Sequence, residues 1–95
     1  HPNYFLPVIN SKDRRLQRCG FFMERENALE AVSENWGNMH NDTNDIALIE
    51  RISPYILPVL LERIWFRWND KEKKYCEAEM PKKYNDYPFD YPMCI

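Results

Sequence analysis

The chain has 95 residues and a net charge of −2, with 44% apolar and 15% aromatic residues. That is enough for one modest core and too little for two, and it is too apolar for disorder throughout. The near-neutral charge disfavours wholesale electrostatic attraction to nucleic acid or to an anionic membrane. The longest apolar run, Ile56 to Leu61, contains Pro58 and is followed by Glu62 and Arg63, well short of the roughly 18 residues of a membrane helix. The opening lacks the basic and long apolar regions of a secretory leader. Cys19, Cys76 and Cys94 are dispersed, an odd number that fits reduced thiols in a cytoplasm rather than a disulfide scaffold.

In chain order, Tyr4 to Ile9 reads as a short first strand, and Pro7 inside it argues for an edge position or a break. A polar connection, Asn10 to Arg15, leads into a second β segment, Leu16 to Met23, where Gly20 marks a bulge or a close packing point. From Glu24 to Trp36 the period changes. Leu29, Val32 and Trp36, with Ala28 and Ala31 beside them, form the stripe of one amphipathic helix, and Gly37 is its terminator. An Asn/Asp-rich loop, Asn38 to Asp45, precedes Ile46 to Ile52, whose apolar residues fill both alternating sets, as in a strand inside a sheet. Pro54 and Pro58 then make Tyr55 to Leu61 a loop with one short turn.

Glu62 to Met80 reads as a hairpin. In its first arm Glu62, Ile64, Phe66 and Trp68 alternate with Arg63, Trp65 and Arg67. With Asn69 to Lys73 as the loop, Cys76, Ala78 and Met80 join the apolar side. Tyr75, Glu77 and Glu79 then lie outside, opposite Trp65 and the two arginines. The predicted fold is α+β and two-layered: one amphipathic helix on a mainly antiparallel sheet of four or five strands, in the order β-β-α-β-β-β. Residues 1–81 form the domain. Residues 82–95 form a Tyr/Pro-rich tail with a repeated Asp-Tyr-Pro-apolar unit, docked on the sheet, on a second subunit of a homodimer, or on another protein.

Catalytic signatures are missing. His40 with Asp42 and Asp45 lacks a second ligand at metal-binding spacing, the cysteines have no recognisable base, and the two glycines cannot build a phosphate loop. No cofactor, metal or catalytic residue is assigned. Two surfaces stand out. One is the basic cluster Lys12, Arg14, Arg15 and Arg18, whose plain reading is a solvated turn. The other is the outward hairpin face, Arg63, Trp65, Arg67 and Tyr75, which either contacts a partner or is buried by tail residues such as Tyr87, Phe89 and Tyr91.

The strings GFF, ENALEAVSENWGN, IALIERI and IWFRWNDKEKKYCEAEMP, taken in order, resemble a family of small uncharacterised proteins of gut Firmicutes and their prophages. The resemblance covers Tyr4 to Pro81 and implies this order of elements and a bacterial or phage cytoplasm, without catalytic residues. The loop Ser53 to Pro58 and the tail depart from it. The leading expectation is a non-enzymatic protein-interaction module, a phage or mobile-element accessory protein acting on a host or defence protein. The rival is a binder of nucleic acid or a phosphate-containing ligand through Arg14, Arg15, Arg18 and Trp65, marked by strong salt dependence.

Overall fold

The computed structural model describes residues 3–10, 16–53 and 59–84, with the backbone alone at residues 10 and 16–18. Its elements are β1 (Tyr4–Asn10), β2 (Leu16–Arg18), α1 (Arg25–Ser33), β3 (Ile46–Ser53), β4 (Val59–Asn69) and β5 (Lys74–Ala78), with short 3₁₀ turns at Trp36–Asn38 and Lys82–Tyr84. The strands form one antiparallel sheet in the order β2-β1-β3-β4-β5. With α1 packed on one face, this is an α+β architecture.

β3 lies at the centre, as its unbroken apolar run predicts. Ile46 through Glu50 are all buried, so both faces of the sheet are covered there. On the helix face, Ala47, Ile49, Ile64, Phe66, Phe5 and Tyr75 pack with Ala28 and Val32 of α1. On the other face, Val8, Ile46, Leu48 and Trp65 pack with Tyr84. Each fully buried Val, Leu or Ile side chain here contributes about 1.5–3 kcal/mol.

β1 is an interior strand, between β2 and β3, and not the edge that Pro7 suggests. The reason is local. Val8 pairs with Arg18 and Ile9 with Gln17, yet Phe5 pairs with Phe22, so the partner segment gains one residue around Gly20. Pro7 accepts from the Cys19 N–H at 2.9 Å and turns its donorless nitrogen towards this bulge, where no ladder bond is lost. A Cβ on Gly20 would come within 3.3 Å of the Pro7 ring, so bulge and close packing coincide at Gly20.

The helix is shorter than its periodicity predicts. It buries Ala28, Ala31 and Val32 and stops because Asn35 turns left-handed at φ 55°, an asparagine in place of the expected glycine. Trp36 therefore leaves the stripe and stands 48% exposed, with its ring 6.2 Å from Phe22.

The hairpin corrects the predicted facing of its second arm. Trp68 pairs with Tyr75 and Asn69 with Lys74, because Asn69 stays in the strand and the loop has only Asp70 to Lys73. Asn69 Oδ1 accepts the Glu72 N–H at 3.0 Å, and Lys73 takes the left-handed conformation, φ 55°. One residue of register moves every side chain of the arm to the opposite face. Tyr75, expected outside, is buried against the helix-side core; Cys76 and Ala78, expected inside, share the face of Trp65. The expected Trp65–Tyr75 pair is replaced by Trp68–Tyr75, edge to face at 5.1 Å. The segment read as loop up to Leu61 is strand from Val59 onward.

Candidate interaction surface

Of the residues proposed from sequence for the hairpin surface, Arg63, Trp65 and Arg67 share one face of β4 and Tyr75 lies on the other. Trp65 is only 8% exposed, and Tyr84 lies against it with ring centroids 5.6 Å apart. It is a core residue of the second face and offers no platform for a base. Arg63 donates from Nε to Glu50 Oε2 at 2.9 Å, and Glu50 is fully buried. Of the four hairpin residues only Arg67 is exposed. Arg18 lies in β2 opposite Val8. Arg14, Arg15, Tyr87, Phe89 and Tyr91 lie outside the described residues, as do Lys12 and most of the tail.

At the far end of the hairpin the aromatic residues close on the loop after α1. His40 stacks on Trp68 at 3.8 Å and 9°. Its Nδ1 lies 2.9 Å from the Asn44 carbonyl, and since a carbonyl only accepts, Nδ1 carries the hydrogen. The Tyr75 hydroxyl donates to the same carbonyl, and burial pushes its phenol well above the ordinary tyrosine range. These contacts lock the Asn/Asp loop to the hairpin. Among the described residues, no three His, Cys, Asp or Glu side chains gather as a metal site would require, and no helix is long and apolar enough to cross a membrane.

The opposite end of β4 differs. β5 pairs with residues 65–69 only, so among the described residues Val59 to Ile64 pair with β3 alone. The register shifts at Arg51/Ile52, which leaves Leu61 as the additional, bulged residue of β4. Val59 is 46% exposed and Leu61 45%, and Met80, just past the end of β5, is 40%. The neighbouring charges are already engaged inside the chain. Glu62 accepts a bidentate pair from Arg25, at 2.9 and 3.2 Å, and a third bond from Arg51 at 3.0 Å. The Arg25 hydrogen bonds hold the Glu62 carboxyl below its usual range, with Arg51 assisting. This edge thus presents backbone and apolar side chains beside a partly exposed Arg25–Glu62–Arg51 group whose charges are paired with one another.

The sequence missed the edge because Pro54 and Pro58 framed Tyr55 to Leu61 as loop. Its only signal was the β-branched and aliphatic run Val59-Leu60-Leu61 directly ahead of the alternating arm. The chain matches no family model, no curated protein and no solved structure. What fold and surface define is a class: a small α+β domain in which, among the described residues, the first half of β4 pairs with a strand on one side.

Proposed function

We propose that the protein is a non-enzymatic interaction module that adds an extended segment of a partner protein to the Val59–Ile64 half of β4. The observation that carries this reading is the stretch of β4 beyond β5, flanked by half-exposed Val59, Leu61 and Met80. Strand addition uses backbone hydrogen bonds for affinity and alternate side chains for specificity. Large apolar side chains beside a strand edge that no described strand covers are what most folds avoid unless something packs on them. Because Glu62 and Arg63 are engaged within the chain, the contact is apolar and insensitive to salt. This separates it from the rival nucleic-acid reading, which loses its stacking residue with Trp65 buried. The expected origin, a phage or mobile element acting on a host protein, rests on the sequence resemblance alone.

The test is capture from host lysate with the wild type and Leu61→Lys, at low and high salt. Leu61 is exposed, so the variant keeps its fold while placing a charge on the edge. A partner retained by the wild type at both salt levels and lost by the variant supports the reading. Capture that survives the substitution, or that high salt abolishes, overturns it. Sedimentation of the purified chain separates the homodimer: a mass that doubles with the wild type and not with Leu61→Lys makes a second copy the occupant.

A further inference from the structure

A cleft of about 470 Å³ opens between the loop that follows α1 and the ends of β1 and β2, within the size range of small-molecule sites. It is separate from the β4 edge. Ile9, Met39 and Trp36 supply apolar surface, Asn38 and Asn41 bring primary amides, and the Asn44 amide is engaged within its own loop. No described residue lining it carries a formal charge. Cys19 also lines it, with its sulfur 3.4 Å from Met39 Sδ and 3.6 Å from the Pro7 carbonyl.

The walls are set in advance. Asn35, Gly37, Asn38, Asn41 and Asp42 all hold left-handed backbone, a conformation that Asn and Asp tolerate better than other side chains. The Asn38 N–H donates to Asn35 O, Asn41 N–H to Asn38 O, and Asn44 N–H to His40 O, all within 3.1 Å. Asn44 Nδ2 donates to Met39 O at 2.8 Å, and Asn35 Oδ1 accepts the His40 N–H at 2.9 Å. The His40–Trp68 stack fastens the loop to the hairpin. A ligand would therefore order little of the protein on binding.

We propose that this cleft binds a neutral saccharide, with its hydroxyls on the Asn38 and Asn41 amides and one C–H face of its ring on Trp36. Among the described lining residues, an anion or cation would meet no opposite charge to offset its desolvation. A wholly apolar ligand would cover the amides without replacing their hydrogen bonds. Hydroxyls both donate and accept, as primary amides do. A face of C–H groups suits the electron-rich face of an indole, which here is half exposed. A nucleobase would also stack on Trp36 and pair with an amide. Among the described residues, however, the cleft has one aromatic ring, no second to sandwich a base, and no cation for a phosphate.

The experiment is a ¹H–¹⁵N NMR titration of the full chain with neutral mono- and disaccharides, and in parallel with adenosine, up to roughly 50 mM, since a small rigid site binds such ligands on the order of 1 mM. The expected result is saturable movement of the Trp36 indole N–H and the Asn38 and Asn41 signals with at least one saccharide. Affinity should fall tenfold or more in Trp36→Ala and in Asn41→Asp. Asn41→Asp keeps a side chain that tolerates φ 43°, and the remainder of each variant's spectrum reports that its fold is intact. Saturation by adenosine but by no saccharide overturns the proposal. So does the absence of any saturable shift, or saccharide binding that Trp36→Ala leaves unchanged.

Discussion

Phe66 and Arg67 are adjacent and face opposite ways. Phe66 is 4% exposed and packs under α1, so Phe66→Ala is expected to destabilise by about 3–5 kcal/mol. Arg67 is exposed, and Arg67→Ala should cost under about 1 kcal/mol. Denaturant melts of the two variants check the alternation directly. Trp65 departs from the simple in-and-out picture, because its face is buried as well. That was illegible from the arm alone: a period of two separates the faces of a sheet without saying what covers each one. Glu50 makes the same point. Within Ile-Ala-Leu-Ile-Glu-Arg-Ile it reads as an ordinary polar residue, yet it is fully buried and paired with Arg63. Arg63→Met, which leaves that carboxylate in the core without its guanidinium, should cost about 3–5 kcal/mol. The double variant Glu50→Leu with Arg63→Met should recover most of the loss, because removing both members of a buried pair is far less damaging than removing one. Melts of the two single variants and the double supply the cycle.

At the scale of elements, the helix is fastened to the sheet by its first turn, where Arg25 reaches Glu62. Glu62 has a depressed pKa in the folded chain. Its contribution to stability is therefore present above the unfolded carboxyl value, about 4.3, and is lost as pH falls through the folded one. Arg25→Met removes the larger cause of the depression. The variant should lose less stability than the wild type between about pH 7 and about pH 3, as chemical melts at the two values would show. Element identity was legible wherever a period persisted: the interior strand β3, the helix, the first arm of the hairpin. Ends and registers were not. The helix stops at Asn35 and not at Gly37 because asparagine also enters the left-handed region. The hairpin arm flipped because one loop residue, Asn69, belongs to the strand. Such choices turn on single turns worth about 1 kcal/mol, and a stripe of apolar residues does not register them.

For the whole molecule, the second sheet face is where the start of the tail matters. Tyr84 is buried against Trp65 and beside Val8 and Leu48. Removing residues 84–95 is expected to expose Trp65 and shift the tryptophan emission to longer wavelength, and Tyr84→Ala alone should reproduce part of that shift. An unchanged emission spectrum in both would show that Trp65 is shielded without Tyr84. Sequence reasoning and structure draw attention to opposite ends of the same hairpin. Aromatic and arginine content pointed to Trp65, while the half-exposed residues sit at the entry to β4, where prolines masked the strand.

The placement of β3 has a further result for the life of the chain. Its neighbour on one side, β4, follows closely in sequence, but on the other side Val8 meets Leu48 and Ile9 meets Ala47, segments made at very different times on the ribosome. Until β1 docks, Ile46-Ala47-Leu48-Ile49 would present a naked hydrophobic ladder, a segment prone to stacking with its own kind. Proteolytic loss of the first ten residues should accordingly turn a well-behaved protein into one that forms cross-β aggregates.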